Sequence, residues 1–432
     1  MMKFVKTTDE KLGETVCRGV HESGLTVILI KKKNFCKSYA TFSTKYGSVN
    51  TEFVVPGEQT PTKVIDGIAH FLEHKVFEQP DGTNAFNDFS KYGANANAFT
   101  SFAVTNYLFS CTDNFYENLE ILLGFVQTPY FTEENVEKEK GIIAQEIRMY
   151  DDDADQVCYY NCLKAMYKNH PVRTEIAGSV EEIMKTTPAL LYKCYKTFYH
   201  PSNMALICVG DLDEQRVAEL VDKHIKTEKT QGSIVQVFPG EPRTVNKKYA
   251  EAYFDIPMPM FMLGFKDKEV GGSGADMLKR EILTSCILRV LFGKSSPFYR
   301  RLYDSGLINK SFAAFYEYED SFGYAAISGE SRDPKAVKKE IYKTVSSAAA
   351  SGIDREAFNR AKKVLFGSNA ASFDSVEELG NEYMFAFHRG VELFDYPEIC
   401  MSLTAEEADA RIKELFDKEC GSLSVVLPKK MI

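Results

Sequence analysis

The sequence predicts an α+β fold made of two copies of one unit. Three observations carry this: strand-like and helical stretches alternate along the first half, the same order recurs after residue 245, and a polar stretch bearing Gly and Pro separates the two. In the first copy, "GVHESGLTVILIKK" is a turn at Ser23-Gly24 feeding a β-branched run, "SYATFSTKYG" alternates as a half-buried strand does, and "TNYLFSC" is a third strand. Apolar residues recur with helical spacing over Thr62 to Glu78, Asn114 to Val126, Glu133 to Met149 and Pro188 to Phe198. "FYHPSNMALICVGDLD" closes the half as a turn into a buried strand ended by Gly210-Asp211. Residues 225–245, "IKTEKTQGSIVQVFPGEPRTV", read as a connection, which sets a first domain at 1–228, a linker at 229–245 and a second domain at 246–432.

The second copy repeats the plan. "KYAEAYFDIP" and "MFMLGFK" are strand-like, a helix is expected around Asp276 to Phe292, "SFAAFYEY" and "GYAAISGES" follow as strands, and long helices come last. "FTEENVEKEKGIIAQE" (131–146) aligns with "IDREAFNRAKKVLFGS" (353–368), and "HKVFEQ" with "RVLFGK". In this pairing Glu139 and Glu146 face Ala361 and Ser368, while His70 and His74 face Ser285 and Arg289. Whatever the histidines and glutamates do, only the first copy does it.

A chain of 432 residues, 44% apolar, can build two or three sizeable cores and is neither disordered nor fibrous. Its 61 acidic against 52 basic residues, a net charge of −9, argue against a nucleic-acid surface. The N-terminal stretch has no apolar run of signal-peptide length, and no segment approaches the roughly 20 apolar residues of a membrane helix. A soluble cytoplasmic protein without nucleic-acid or membrane partners is therefore expected. The ten cysteines are scattered, many in apolar settings such as "LICVG" and "TSCILRVLF", and read as reduced core thiols. Cys158 and Cys162 in "CYYNC" have a spacing that suits a metal pair, but packing explains them as well and no second pair lies nearby. "DDDAD" (151–155) reads as a solvated cap or loop.

Residues 67–78, "GIAHFLEHKVFE", hold two of the seven histidines, four apart, with a glutamate between them. On a helix His70 and His74 present their imidazoles to one point, with Glu73 on the adjacent edge. A catalytic zinc takes three protein ligands and keeps one position for water, and a carboxylate alongside can take a proton from that water and return it to a leaving amine. His-x-x-Glu-His is the inverted form of the commoner zinc-protease sequence. The bland alternative is the solvated face of a helix whose stripe Val64, Ile68, Phe71 and Leu72 is buried; in a chain of this length the motif arises by chance with a probability of about one in a hundred. A third ligand separates the two readings. "EKEKGIIAQEIRMYDDDAD" offers Glu139 and Glu146, seven apart and so on one helix face; one can ligate while the other holds a ligand histidine.

Along essentially its whole length the sequence resembles the pitrilysin/insulinase family of zinc metallopeptidases, which includes mitochondrial processing peptidase. In that family a His-x-x-Glu-His helix is followed some seventy-odd residues later by a helix bearing two glutamates seven apart, and here Glu146 follows His74 by 72 positions. The resemblance implies that His70, His74 and Glu146 bind zinc, that Glu73 is the general base and that Glu139 supports the site. "NANAFTSFAVTNYLF" is similar to the family's edge strand, on which a substrate peptide lies as an added strand, with Asn97 and Ala98 at the backbone-contact positions. The fold implied is two homologous half-chain domains, each a mainly antiparallel sheet with packed helices, forming one half of a clamshell.

The pattern breaks in the second half. The family's arginine and, seven residues later, tyrosine help hold substrate and stabilise the oxyanion; in "SSPFYRRLYDSGLINKSF" Tyr303 and Asn309 stand in their place, six rather than seven apart. Arg300 and Arg301 are followed seven positions on by Leu307 and Ile308, so no shifted register restores the pair. The resemblance is nearest to short bacterial zinc-bearing subunits that work with a paralogous chain. It implies a heterodimer whose partner supplies the arginine and tyrosine, or else a homodimer, acting on short or unfolded peptides. The alternatives are a non-catalytic binding or structural subunit of a peptidase-like assembly, and a zinc-dependent hydrolase that is not a peptidase.

Overall fold

A computed structural model describes residues 2–10, 12–226 and 232–429. The chain forms two compact units, one comprising residues 1–147, 175–237 and 370–388 and the other residues 148–174, 238–369 and 389–432. Part of the expected linker, 229–231, lies outside the described residues; its described remainder includes a short strand, Val235–Gln236, paired with Glu52–Val54. The domain boundary at 229–245 remains a proposal about where the sequence repeat divides.

The first unit is built on a seven-stranded sheet in the order Phe4–Asp9, Glu14–Val20, Thr26–Lys31, Met204–Gly210, Ser38–Thr44, Thr105–Cys111, Asn95–Thr100. All neighbours run antiparallel except Thr26–Lys31 with Met204–Gly210. The second unit has five strands, Tyr249–Phe254, Gly421–Pro428, Met260–Lys266, Gly323–Glu330 and Ala313–Tyr318, of which only the first pair is parallel. The last five strands of the larger sheet match the smaller sheet strand for strand in order and direction. This agrees with the expected pair of homologous, mainly antiparallel sheets.

Met204–Gly210 is buried along its whole length, as the apolar run "MALICVG" requires of a central strand. Helix Val376–His388, from late in the chain, packs on Met204–Gly210 and Ser38–Thr44 in the first unit. The approach is close because Gly380 has no side chain: a Cβ there would lie 2.5 Å from the Tyr39 ring. Helix Ala154–Met166, from early in the chain, packs on Gly421–Pro428 and Met260–Lys266 in the second unit. Cys158 and Cys162 lie buried on that packed face, with Cys162 Sγ 3.6 Å from the Met262 carbonyl oxygen, so they are packing thiols. All ten cysteines are free. The acidic stretch supplies a cap: Asp153 accepts from the backbone N–H groups of Asp155 and Gln156 at the start of this helix.

The helix expected over Thr62 to Glu78 is shorter, Ile68–Val76, because Thr62–Lys63 pairs instead with Glu52–Val54 and Gly67 sits at φ +86°. Gly67 fixes where the helix begins. A Cβ on it would stand 2.3 Å from the Ala177 carbonyl oxygen, and one on Gly178, at φ +75°, would stand 2.7 Å from that of Asp66. The two glycines let these backbones meet, and the helix then buries Ile68, Phe71, Leu72 and Val76 in the core of the first unit.

Two predictions arise from this packing. Gly67→Ala meets both a left-handed backbone and a carbonyl oxygen, so a loss of about 3 kcal/mol is expected, read as a lowered urea midpoint. The second concerns His388, at the end of helix Val376–His388, whose Nε2 is 2.8 Å from Ser43 Oγ. Burial, with Lys45 adding to it, pushes its pKa down to about 3. A depressed value means that this stability is present above the unfolded value of about 6.5 and is lost as pH falls towards 3, by about 1.4 kcal/mol per pH unit. Urea unfolding at pH 7 and pH 5 should therefore show a smaller acid sensitivity in His388→Gln than in the wild type.

Candidate metal centre

Two helices and one edge strand of the first unit bring the expected residues together. Helix Ile68–Val76 carries His70, Glu73 and His74; helix Glu133–Asp151 carries Glu139 and Glu146; strand Asn95–Thr100 runs beside the first helix. The apolar stripe Val64, Ile68, Phe71 and Leu72 is buried as anticipated, yet His70 and Glu73 are buried with it, at 8% and 9% exposure. The histidine side is therefore not a solvated helix face.

His70 Nε2 lies 3.6 Å from Glu146 Oε1, and His74 Nε2 lies 3.5 Å from Glu146 Oε2. One donor atom from each of the three side chains falls within 4.8 Å of the others. Ligands about 2.1 Å from a tetrahedral ion stand roughly 3.4 Å apart, so two imidazole nitrogens and a carboxylate at these separations fit a zinc-sized dication. The two glutamates seven apart do share a face, with different roles: Glu146 faces both imidazoles, while Glu139 Oε1 is 3.1 Å from His74 Nδ1.

The His74–Glu139 contact shapes the charges of both groups. Burial opposes a charged His74, but the hydrogen bond to Glu139 and the charges of Glu73, Glu139 and Glu146 outweigh it and hold the imidazole above its usual value. Burial likewise opposes a charged Glu139, and the His74 hydrogen bond together with the His74, Lys75 and Lys138 charges holds it below the usual carboxylate value. Glu73 is anchored separately, since Thr100 Oγ1 donates to Glu73 Oε2 at 2.6 Å.

Asn97 and Ala98 lie on Asn95–Thr100, the last strand of its sheet, opposite Leu108 and Tyr107. Asn97 Oδ1 accepts from the Ala98 N–H at 2.9 Å, in an exposed part of the strand. In the second unit the matching helix, Gly274–Phe292, and edge strand, Ala313–Tyr318, border a cleft of about 600 Å³ lined by Ser285, Arg289, Ala313 and Phe315. Ser285 and Arg289, paired with His70 and His74 in the sequence alignment of the two copies, give no metal-ligand pair. Tyr303 stacks on Tyr299, Asn309 Nδ2 donates to Glu330, and Arg301 pairs with Glu340.

Sequence reasoning does not reach Thr100 or Lys75. Thr100 is 27 positions from the glutamate it holds. Lys75 had a signal: it falls on the buried stripe of its helix, where an apolar residue is the ordinary occupant.

Residues 53–180 match the family model for insulinase, peptidase family M16, and residues 185–365 match that for the peptidase M16 inactive domain. The uncharacterized zinc protease YmfH of Bacillus subtilis is 42% identical over 422 residues, covering 97% of this chain and 98% of its own. A crystal structure from Alicyclobacillus acidocaldarius, named as an M16-like peptidase, superposes with a TM-score of 0.91 at 35% identity over 99% of both chains. A protease structure from Helicobacter pylori shares the fold, with a TM-score of 0.79 at 20% identity over 99% of this chain and 100% of that one. Matched end to end by relatives of this identity, and carrying the two-helix histidine–glutamate cluster in its first unit, the chain belongs to the insulinase family of peptidases, family M16.

Proposed function

We propose that the chain is a zinc-dependent metalloendopeptidase acting on short or unfolded peptides as the zinc-bearing subunit of a heterodimer. The observation that carries this is the convergence of His70, His74 and Glu146 at separations suited to zinc, with Glu73 on the same helix. In this reading those three residues hold the ion and Glu139 holds His74 in orientation. When bound, zinc supplies Lewis-acid chemistry, polarising a peptide carbonyl and acidifying water. Glu73, fixed by Thr100, takes the proton of the attacking water and passes it to the leaving amine. The peptide lies along Asn95–Thr100 as an added strand, with the Ala98 N–H and Asn97 exchanging their mutual hydrogen bond for bonds to its backbone. Such pairing reads main chain, so sequence preference is loose and folded substrates are poor.

The partner follows from Tyr303 and Asn309. Residues 295–312, where the family's second half carries the pair, hold no arginine followed seven positions on by a tyrosine, and loss of an oxyanion donor costs about 10²- to 10³-fold in turnover. A paralogous chain carrying that pair would complete the site. The same two residues favour a second reading, a non-catalytic subunit with an inherited metal site.

Cleavage of a quenched fluorescent peptide library by the zinc-loaded chain, alone and with such a paralogue, decides between them. Activity is expected only in the mixture, and Glu73→Gln should reduce it by about 100-fold or more while zinc content is kept. His74→Gln should lose the zinc itself. Zinc bound in every mixture without cleavage would favour the non-catalytic reading.

A further inference from the structure

We infer that Lys75 is a positioning residue of the metal centre, acting on His74 through Glu139; the inference rests on the metal reading above. Lys75 is 1% exposed in the buried stripe of helix Ile68–Val76. A buried ammonium without partners costs several kcal/mol, so its place is explained by what it meets. Its Nζ contacts Glu78 Oε2 and lies 3.8 Å from Glu139 Oε2. The other oxygen of Glu139 is the one 3.1 Å from His74 Nδ1.

The two oxygens of Glu139 thus face different partners, His74 through a hydrogen bond and the Lys75 ammonium through charge across 3.8 Å. Attraction of the second oxygen towards the ammonium opposes rotation of the carboxylate about its terminal bond and favours one plane. Fixing that plane fixes the ring of His74 and keeps Nδ1 occupied, which leaves Nε2 as the nitrogen turned towards Glu146 and the metal position. Charge points the same way. Glu73, Glu139 and Glu146 bring three carboxylates to a centre whose dication balances two of them, and Lys75, shared between Glu139 and Glu78, offsets part of the third.

Two effects of the ammonium on metal affinity oppose each other. Direct repulsion of a dication predicts that removing Lys75 tightens binding; its grip on Glu139 predicts that removing it weakens binding. The carboxylate stands between the two cations, so we take the grip to dominate, and the sign of the change tests this. Loss of a group that orients a metal ligand typically weakens binding by about 10- to 100-fold.

The experiment is zinc affinity by chelator competition on the full chain, comparing the wild type with Lys75→Met, Glu139→Gln and the double variant. Lys75→Met should bind zinc about 10-fold more weakly or worse, with little further loss in the Glu139→Gln background, because both changes cut one path. Lys75→Arg, which keeps the charge and the donors, should stay within about threefold of the wild type. Lys75→Gln removes the same charge and takes the place of the Met variant if that one does not fold. Unchanged or tighter binding in the neutral variants, or losses that add in full to that of Glu139→Gln, would overturn the role of Lys75 while leaving the metal centre standing. A wild-type chain that binds no zinc overturns both.

Discussion

Three carboxylates held beside two imidazoles in a mostly buried patch form the constraint on which the candidate metal centre depends. Two carboxylates roughly 6 Å apart repel by about 3 kcal/mol in a protein-like dielectric, so the cluster persists only where partners and packing impose it. Each carboxylate has its own restraint: Thr100 on Glu73, Lys75 and His74 on Glu139, both imidazoles near Glu146. Around these restraints the apolar stripe of one helix and the buried side of the other, Val136, Ile143, Ala144 and Ile147, supply the rigidity. Burial here serves to hold charges in place as much as to stabilise the fold.

The second unit shows what the same architecture does without that constraint. Its five strands repeat the order and directions of the first, and its helix Gly274–Phe292 again lies against the edge strand. Serine and arginine stand at the histidine positions and alanine and serine at the glutamate positions, so the helix faces a cleft rather than a cluster of donors. Duplication has preserved topology, which is set by apolar periodicity, and released chemistry, which is set by four side chains. The two are separable because none of those four side chains is needed to form the sheet.

Much of this was legible in the sequence. Strands such as Thr105–Cys111 and Met260–Lys266 and helix Pro188–Phe198 have the bounds their patterns predict, since local periodicity and flanking turn residues specify them. The histidine and glutamate spacings were legible because helical geometry alone places residues four or seven apart on one face. The true start of the motif helix was not: it depends on Gly67 meeting the backbone of Ala177, a contact between segments 110 positions apart. Thr100 was hidden for the same reason, as a strand threonine reads as a β-former, and Lys75 showed only its place on the apolar stripe and not the carboxylates it meets. Spacing finds the donors, and only the fold reveals what holds them.

The crossing-over of two helices bears on how the chain can be made. The seven-stranded sheet receives the helix that covers Tyr39 and Val209 only when synthesis has passed residue 388, and Tyr39 then bonds Asn381 across 342 positions of sequence. Until that point an emerging chain carries a formed or forming sheet with an apolar face open to water. Contacts of such separation close late and slowly, leaving a long interval in which that face can meet another chain. Cutting the chain at the polar connection would make the condition permanent, because each sheet would be parted from one of its own helices.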